Sequence, residues 1–145
     1  MSAMIEPALT AWQARWAALP DWARGGQLGK TVNPHNLTRI HLAHLIRRHG
    51  FRIGGASYGR PKIRFPGSGS TLTIGRFCSL ADGVEILLGG NHRTDWISTY
   101  PFPEFAAEWP EAAARDDHHS TRGHVTIGHD VWIGSQAMIL SGVSI

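Results

Sequence analysis

The sequence predicts a mainly β protein, a coil of short parallel strands, on three observations. Aliphatic residues open a six-residue beat at Ile74, Leu80 and Ile86, and the beat returns at Ile127, Ile133, Ile139 and Ile145. A second inward-type position follows four residues later, at Cys78, Val84 and Gly90, then at Val131, Ala137 and Val143. Small residues sit directly after the opening aliphatic at Gly75, Ala81, Gly128 and Gly134. Six residues are about 1.7 helical turns, so on a helix these apolar positions would wander around the axis. A plain alternating strand leaves the small residue at each beat unexplained. Short strands that turn after each hexad, and bury their aliphatics by stacking on neighbouring repeats, satisfy all three observations. Residues 74–91 and 127–144 each supply three hexads, enough for two three-sided coils.

Composition sets the outer limits. At 145 residues the chain is long enough for one core with an appendage. With 42% hydrophobic and 17% charged residues it is globular rather than disordered. The 17 glycines and eight prolines predict many turns and little unbroken helix. A single cysteine, Cys78, excludes an internal disulfide framework and suits a reducing, cytoplasmic setting. The opening MSAMIEPALTAW lacks a basic n-region followed by an apolar run, so no signal peptide is expected. No run approaches the roughly 18 apolar residues of a membrane span, so no membrane partner is expected. A net charge of +3, without a Lys/Arg-rich run or recognition motif, gives no reason to expect a nucleic-acid partner.

Residues 1–50 read as an N-terminal helical segment. Pro7 suits a first helical position, and Leu9, Trp12, Trp16 and Leu19 share a face before Pro20 ends the run. A second helix is predicted roughly from Asn36 to His49, burying Leu37, Ile40, Leu45 and Ile46. Arg47, Arg48 and His49 lie in its last turn and Gly50 is its C-cap. His41 and His44, on that helix, read as surface or partner-facing residues.

Residues 51–145 form the predicted coil domain. Ile53, Tyr58, Ile63, Phe65 and Leu72 are irregularly spaced, and the regular beat starts only at Ile74. Residues 92–124 break the period and form an excursion that leaves one coil corner and returns to start the next. A loop of that length is usually functional. One short helix is predicted within it, around Glu111 to Arg115.

Two stretches carry a resemblance: IGRFCSLADGVEILLGGNHRTDWISTYPF, then GHVTIGHDVWIGSQAMILSGVSI. Their hexad runs, GGNH at the loop entrance, YPF within the loop and DVWIG at the return closely resemble the xenobiotic acyltransferases of the hexapeptide-repeat superfamily. Chloramphenicol and streptogramin O-acetyltransferases belong to that family. The resemblance covers residues 51–145 and implies a left-handed parallel β-helix. Period and spacing do not show that hand, and the general right-handed rule for parallel crossovers points the other way. It also implies a homotrimer with active sites between subunits, acetyl-CoA as cosubstrate, no metal, and a small-molecule hydroxyl acceptor such as an antibiotic, sugar or metabolite. Members usually continue beyond DVWIG with further hexads and a C-terminal helix. By that comparison the chain reads as truncated at its C-terminus, with part of the CoA groove missing.

Transfer to an alcohol needs a base for the attacking hydroxyl, and a histidine suits that role near neutral pH. The resemblance makes His92 the catalytic base. It places Trp132 and Gly134, in DVWIG, along the cosubstrate, and matches Tyr58 to a tyrosine near the acceptor pocket. Asn91, Trp96, Tyr100 and Phe102 are the loop residues expected to shape that pocket, while Pro101 and Pro103 fix the loop's form. Cys78 reads as a small inward hydrophobe. Arg47, Arg48, Arg52, Arg60, Lys62 and Arg64 make a basic stretch that reads as a solvated face, with CoA phosphates as the alternative.

Two rival readings have their own signatures. A zinc enzyme of carbonic anhydrase type would gather His92, His124 and His129 on one metal. A non-catalytic or truncated solenoid assembly module would use none of these residues. His118 and His119, beside Asp116 and Asp117, read as a solvated loop tip.

Overall fold

A computed structural model describes residues 33–114 and 120–145, together with residues 14, 15 and 18. Of the helix expected from Pro7 to Pro20 only residues 14, 15 and 18 are described, with the Ala18 amide bonded to the Ala14 carbonyl at 3.2 Å, and the His118–His119 tip falls outside the described residues. Two short helices precede the strands, α1 (Thr38–His41) and α2 (Ala43–His49). Eight short strands follow: β1 (Arg52–Ile53), β2 (Lys62–Arg64), β3 (Leu72–Ile74), β4 (Ser79–Leu80), β5 (Glu85–Leu87), β6 (Val125–Ile127), β7 (Trp132–Ile133) and β8 (Met138–Ile139).

Every pairing between these strands is parallel. One sheet runs β1–β3–β6, a second β2–β5–β8 and a third β4–β7. The chain visits the three sheets in turn and comes back to each one coil later. The hexad openers stack in register: Ile74 on Ile127, Leu80 on Ile133 and Ile86 on Ile139. All six are buried, and with Cys78, Val84 and Leu88 they form one core cluster between the sheets. The Cys78 thiol points at the Gly128 carbonyl, 3.1 Å away, and behaves as packing.

A further coil precedes the regular hexads. β1 and β2 pair with β3 and β5, and Tyr58 makes an isolated parallel bridge to Ser79. The first coil is two residues shorter than the second between Tyr58 and Lys62, the partners of Ser79 and Glu85. That deletion hides its hexad in the sequence.

The second predicted helix is present but broken at Leu42 into α1 and α2, and it ends on Gly50 in the left-handed conformation. Asn33 starts the segment, accepting from the Leu37 amide at 2.9 Å and donating to its carbonyl at 3.1 Å. The Thr38 amide reaches the Ser57 carbonyl at 3.0 Å and its hydroxyl donates to Gly59 O at 2.9 Å. Leu42 joins the core, with Leu45 and Ile46 packed against it, so the helices pack onto the first coil. Solenoid ends need such covering.

His41 is buried here rather than surface-facing, while His44 is exposed. The helix turns His41 inward, where its Nε2 donates to Asn36 Oδ1 at 2.6 Å. Burial, then the nearby Arg60 charge, lower its pKa to about 4. Above pH 6.5 the ring is neutral both folded and unfolded. Below it the unfolded chain takes up a proton that the folded chain refuses. Stability is therefore expected to fall by about 3 kcal/mol as pH drops from 6.5 to 4. Urea midpoints of the protein and of His41→Gln across that range should converge at low pH. Parallel curves would contradict the assignment.

Candidate active site

The excursion leaves the second coil at Gly89 and Gly90, which pass against the first coil. A Cβ on Gly89 would lie 2.6 Å from Ser68 Cβ, and one on Gly90 would enter the Phe65 ring. Gly90 also has a positive φ of 77°. The two glycines of GGNH are thus required by close approach and backbone conformation. Just beyond, Asn91 forms an antiparallel bridge with Ser120, its N–H and C=O bonding at 3.0 and 2.9 Å. That bridge closes the loop at its root.

His92 is the first residue past the bridge and is exposed. Its Nδ1 lies 2.8 Å from the Thr99 carbonyl oxygen. A carbonyl can only accept, so Nδ1 carries the proton in the neutral ring and the basic lone pair is on Nε2. Arg93 folds back on Asp95 through two bonds of 2.8 and 2.6 Å, and its guanidinium sits 5.1 Å above the Trp96 ring. The Arg93 hydrogen bonds hold the Asp95 carboxyl down at about 2.

The rest of the loop is an aromatic assembly. Tyr100 lies 4.8 Å from Phe102 and 5.5 Å from both Phe105 and Trp109, and Phe102 meets Trp109 edge-on at 5.2 Å. The short helix expected around Glu111 is a 3-10 turn at Pro110–Ala112, with another at Phe102–Phe105. A concavity of about 620 Å³ opens here, lined by Trp96, Ile97, Phe102, Pro103 and Trp109 together with Asp95 and Glu111.

The named candidates therefore fall into two groups. Asn91, His92, Trp96, Tyr100 and Phe102 belong to the loop, which departs from the β2–β5–β8 sheet. Tyr58 and Trp132 belong to the β4–β7 sheet, aligned on either side of Ser79. Trp132 is 80% exposed and Tyr58 48%. Beside them Gly134 is open, since a Cβ there would meet nothing within 4 Å. The Asn91 side-chain amide donates to Ser141 Oγ at 2.6 Å. Ile97 and Trp109 were not singled out from the sequence, and Pro103 was named only for the loop's shape; their spacing follows no period, and only the folded loop brings them together.

The other charged and metal-type residues are placed differently. His124 Nδ1 accepts from the Thr71 amide at 3.1 Å, and His129 Nδ1 accepts from Arg76 N at 2.9 Å. Each of these imidazoles fastens one coil to the one before it. Among the described residues no three His, Cys, Asp or Glu side chains gather as a metal set would. Within the basic stretch, Arg64 and Lys62 flank Glu85 at 2.9 and 3.7 Å, and Arg64 is the main cause of that carboxyl's lowered pKa.

No family model matches the chain. Among curated proteins it is 35% identical over 125 residues to a chloramphenicol acetyltransferase of Agrobacterium fabrum, covering 84% of this chain and 58% of that one. It is 42% identical over 76 residues to a probable macrolide acetyltransferase of Lysinibacillus sphaericus, covering 52% and 42% of the two chains. A chloramphenicol acetyltransferase of Escherichia coli is 45% identical over 76 residues, covering 51% and 36%. By these similarities the chain is a relative of proteins of the xenobiotic acetyltransferase family. Within that family the named relatives are chloramphenicol and macrolide acetyltransferases, and the chain spans between 36% and 58% of their length. No helix among the described residues is long and apolar enough to cross a membrane.

Proposed function

We propose that this chain is an acetyl-CoA-dependent O-acetyltransferase acting in the cytoplasm on a small-molecule hydroxyl, with His92 as general base. The observation that carries the reading is the 2.8 Å contact of His92 Nδ1 with the Thr99 carbonyl, which leaves Nε2 as the proton acceptor. The acceptor hydroxyl gives its proton to Nε2 as its oxygen attacks the thioester carbonyl carbon. Collapse of the tetrahedral adduct breaks the C–S bond, and the imidazolium returns the proton to the departing thiolate. The products are the acetyl ester and CoA, formed in one ternary complex without an acyl-enzyme.

The coil is read as left-handed and the protein as a homotrimer. The separation of the two candidate groups supports an interface site. A loop from one copy would carry His92 and the concavity to the sheet of another, where Tyr58 and Trp132 lie exposed. The exposed indole and the open space at Gly134 suit an extended pantetheine arm. The apolar concavity suits an aromatic or otherwise largely apolar acceptor such as an antibiotic.

Incubation with acetyl-CoA and chloramphenicol, a macrolide or simpler alcohols, followed by mass spectrometry, tests the assignment. An O-acetylated product supports it, and unmodified acceptors throughout would contradict it. Trp132→Ala should raise the KM for acetyl-CoA by roughly tenfold or more, as loss of a stacking aromatic contact does. Its Tm should stay where it was, because the ring is exposed. An unchanged KM would remove Trp132 from the cosubstrate groove.

A further inference from the structure

The root of the excursion contains a buried hydroxyl with an unusual share of the polar contacts. Ser141 lies in the turn after β8 and is 3% exposed. Its Oγ accepts from Asn91 Nδ2 at 2.6 Å and from the Arg122 amide at 3.0 Å. A hydroxyl oxygen has two acceptor sites, and these two donors fill them. One atom of the third coil thus holds the residue that precedes His92 and a residue of the segment by which the loop returns. Thr121 adds a second tie, donating to the Leu88 carbonyl at 2.7 Å and contacting Ser70 Oγ at 2.6 Å.

His92 follows Asn91 directly, about 3.8 Å away from Cα to Cα. Its ring orientation depends on meeting the Thr99 carbonyl from that anchored backbone. We propose that Ser141 and Asn91 are positioning residues: they fix the start of the loop so that His92 Nδ1 stays on Thr99 and Nε2 remains the base. Asn91 then acts through its neighbour rather than by touching the acceptor. The consequence for rate rests on the general-base reading of His92, whereas the consequence for the imidazole does not.

The experiment is 15N NMR of the protein labelled at the histidine ring nitrogens, with the His92 signals identified by their loss in His92→Ala. Wild type should show one tautomer at His92, with the proton on Nδ1. Ser141→Ala and Asn91→Ala should each give mixed tautomers, and Ser141→Thr, which keeps the hydroxyl, should restore the single form. In parallel, kcat for acceptor-dependent CoA release should fall roughly 10- to 100-fold in the alanine variants at unchanged KM for acetyl-CoA. A tautomer shift in a protein without transferase activity would uphold the positioning role and overturn the functional reading. A mixed tautomer in wild type, or a single Nδ1–H form in both alanine variants, would overturn the positioning role. Two independent variants guard against one of them failing to fold.

Discussion

His92→Ala is expected to lower acceptor-dependent acetyl transfer by roughly 10²- to 10⁴-fold, the usual contribution of a positioned general base. The expectation follows from where the ring sits. His92 is exposed at the loop entrance and outside the core cluster, so its removal should cost stability no more than about 1 kcal/mol. The loss should fall on kcat, since a general base acts on the attacking hydroxyl and not on either substrate's recognition. His92→Gln is the informative companion, because a glutamine amide can still donate to the Thr99 carbonyl but has no basic nitrogen. Both variants should be equally impaired if the lone pair is what matters. Recovery in the glutamine variant would mean that the loop tie, not the base, supports the rate. Steady-state CoA release read with a thiol reagent distinguishes these cases.

Gly75→Ala is expected to destabilise the protein by about 3 kcal/mol, at the upper end of overpacking penalties. Gly54, Gly75 and Gly128 stack on one another at the same corner of successive coils. A Cβ on Gly75 would drive into the Gly128 carbonyl oxygen, 2.5 Å from its carbon and 2.7 Å from His129 Nδ1. Neither neighbour can yield cheaply. The first is backbone in the coil's own ladder, where Gly75 N donates to Ile127 O at 2.8 Å, and the second holds the Arg76 amide. Gly134→Ala provides the control, since that position is open and should change stability by less than about 0.5 kcal/mol. Chemical denaturation of both variants, with midpoints compared at constant slope, measures the difference. Equal midpoints would mean that the coils part without cost at that corner.

These two residues also show what the sequence could and could not convey. The inward aliphatics were legible because burial imposes a period, and Ile74, Ile86, Ile127 and Ile139 are buried as that period requires. The first coil was not, because its shortened side breaks the count between Ile53 and Ile63. Corner residues were hidden for a different reason. Ala56, Phe77, Asp130 and Gln136 all carry positive φ, a conformation whose usual signal is glycine or asparagine. Phe77 and Asp130 hold aligned corners with unlike side chains, so nothing recurs there for the eye to find.

The site divides in the same way. His92 stood out as a candidate because GGNH marks a loop entrance and the family resemblance points to its side chain. Its partner did not, because the Thr99 contact is a backbone carbonyl, which every residue possesses. Ser141 gave no sign either, since one serine in a turn acquires meaning only when Asn91 and Arg122 converge on it. His124 and His129 had a metal-like look in the sequence. In the fold each accepts from the amide of the neighbouring coil. Sequence spacing identifies which side chains can do chemistry, and the coil decides which of them are already engaged in holding it together.

The most direct measurement for the account is CoA release from acetyl-CoA by this protein, with and without hydroxyl acceptors, chloramphenicol and a macrolide among them. The account predicts negligible release alone, release that saturates with at least one acceptor, and one CoA per acetyl ester formed. Release that ignores every acceptor, or none with any of them, would contradict it.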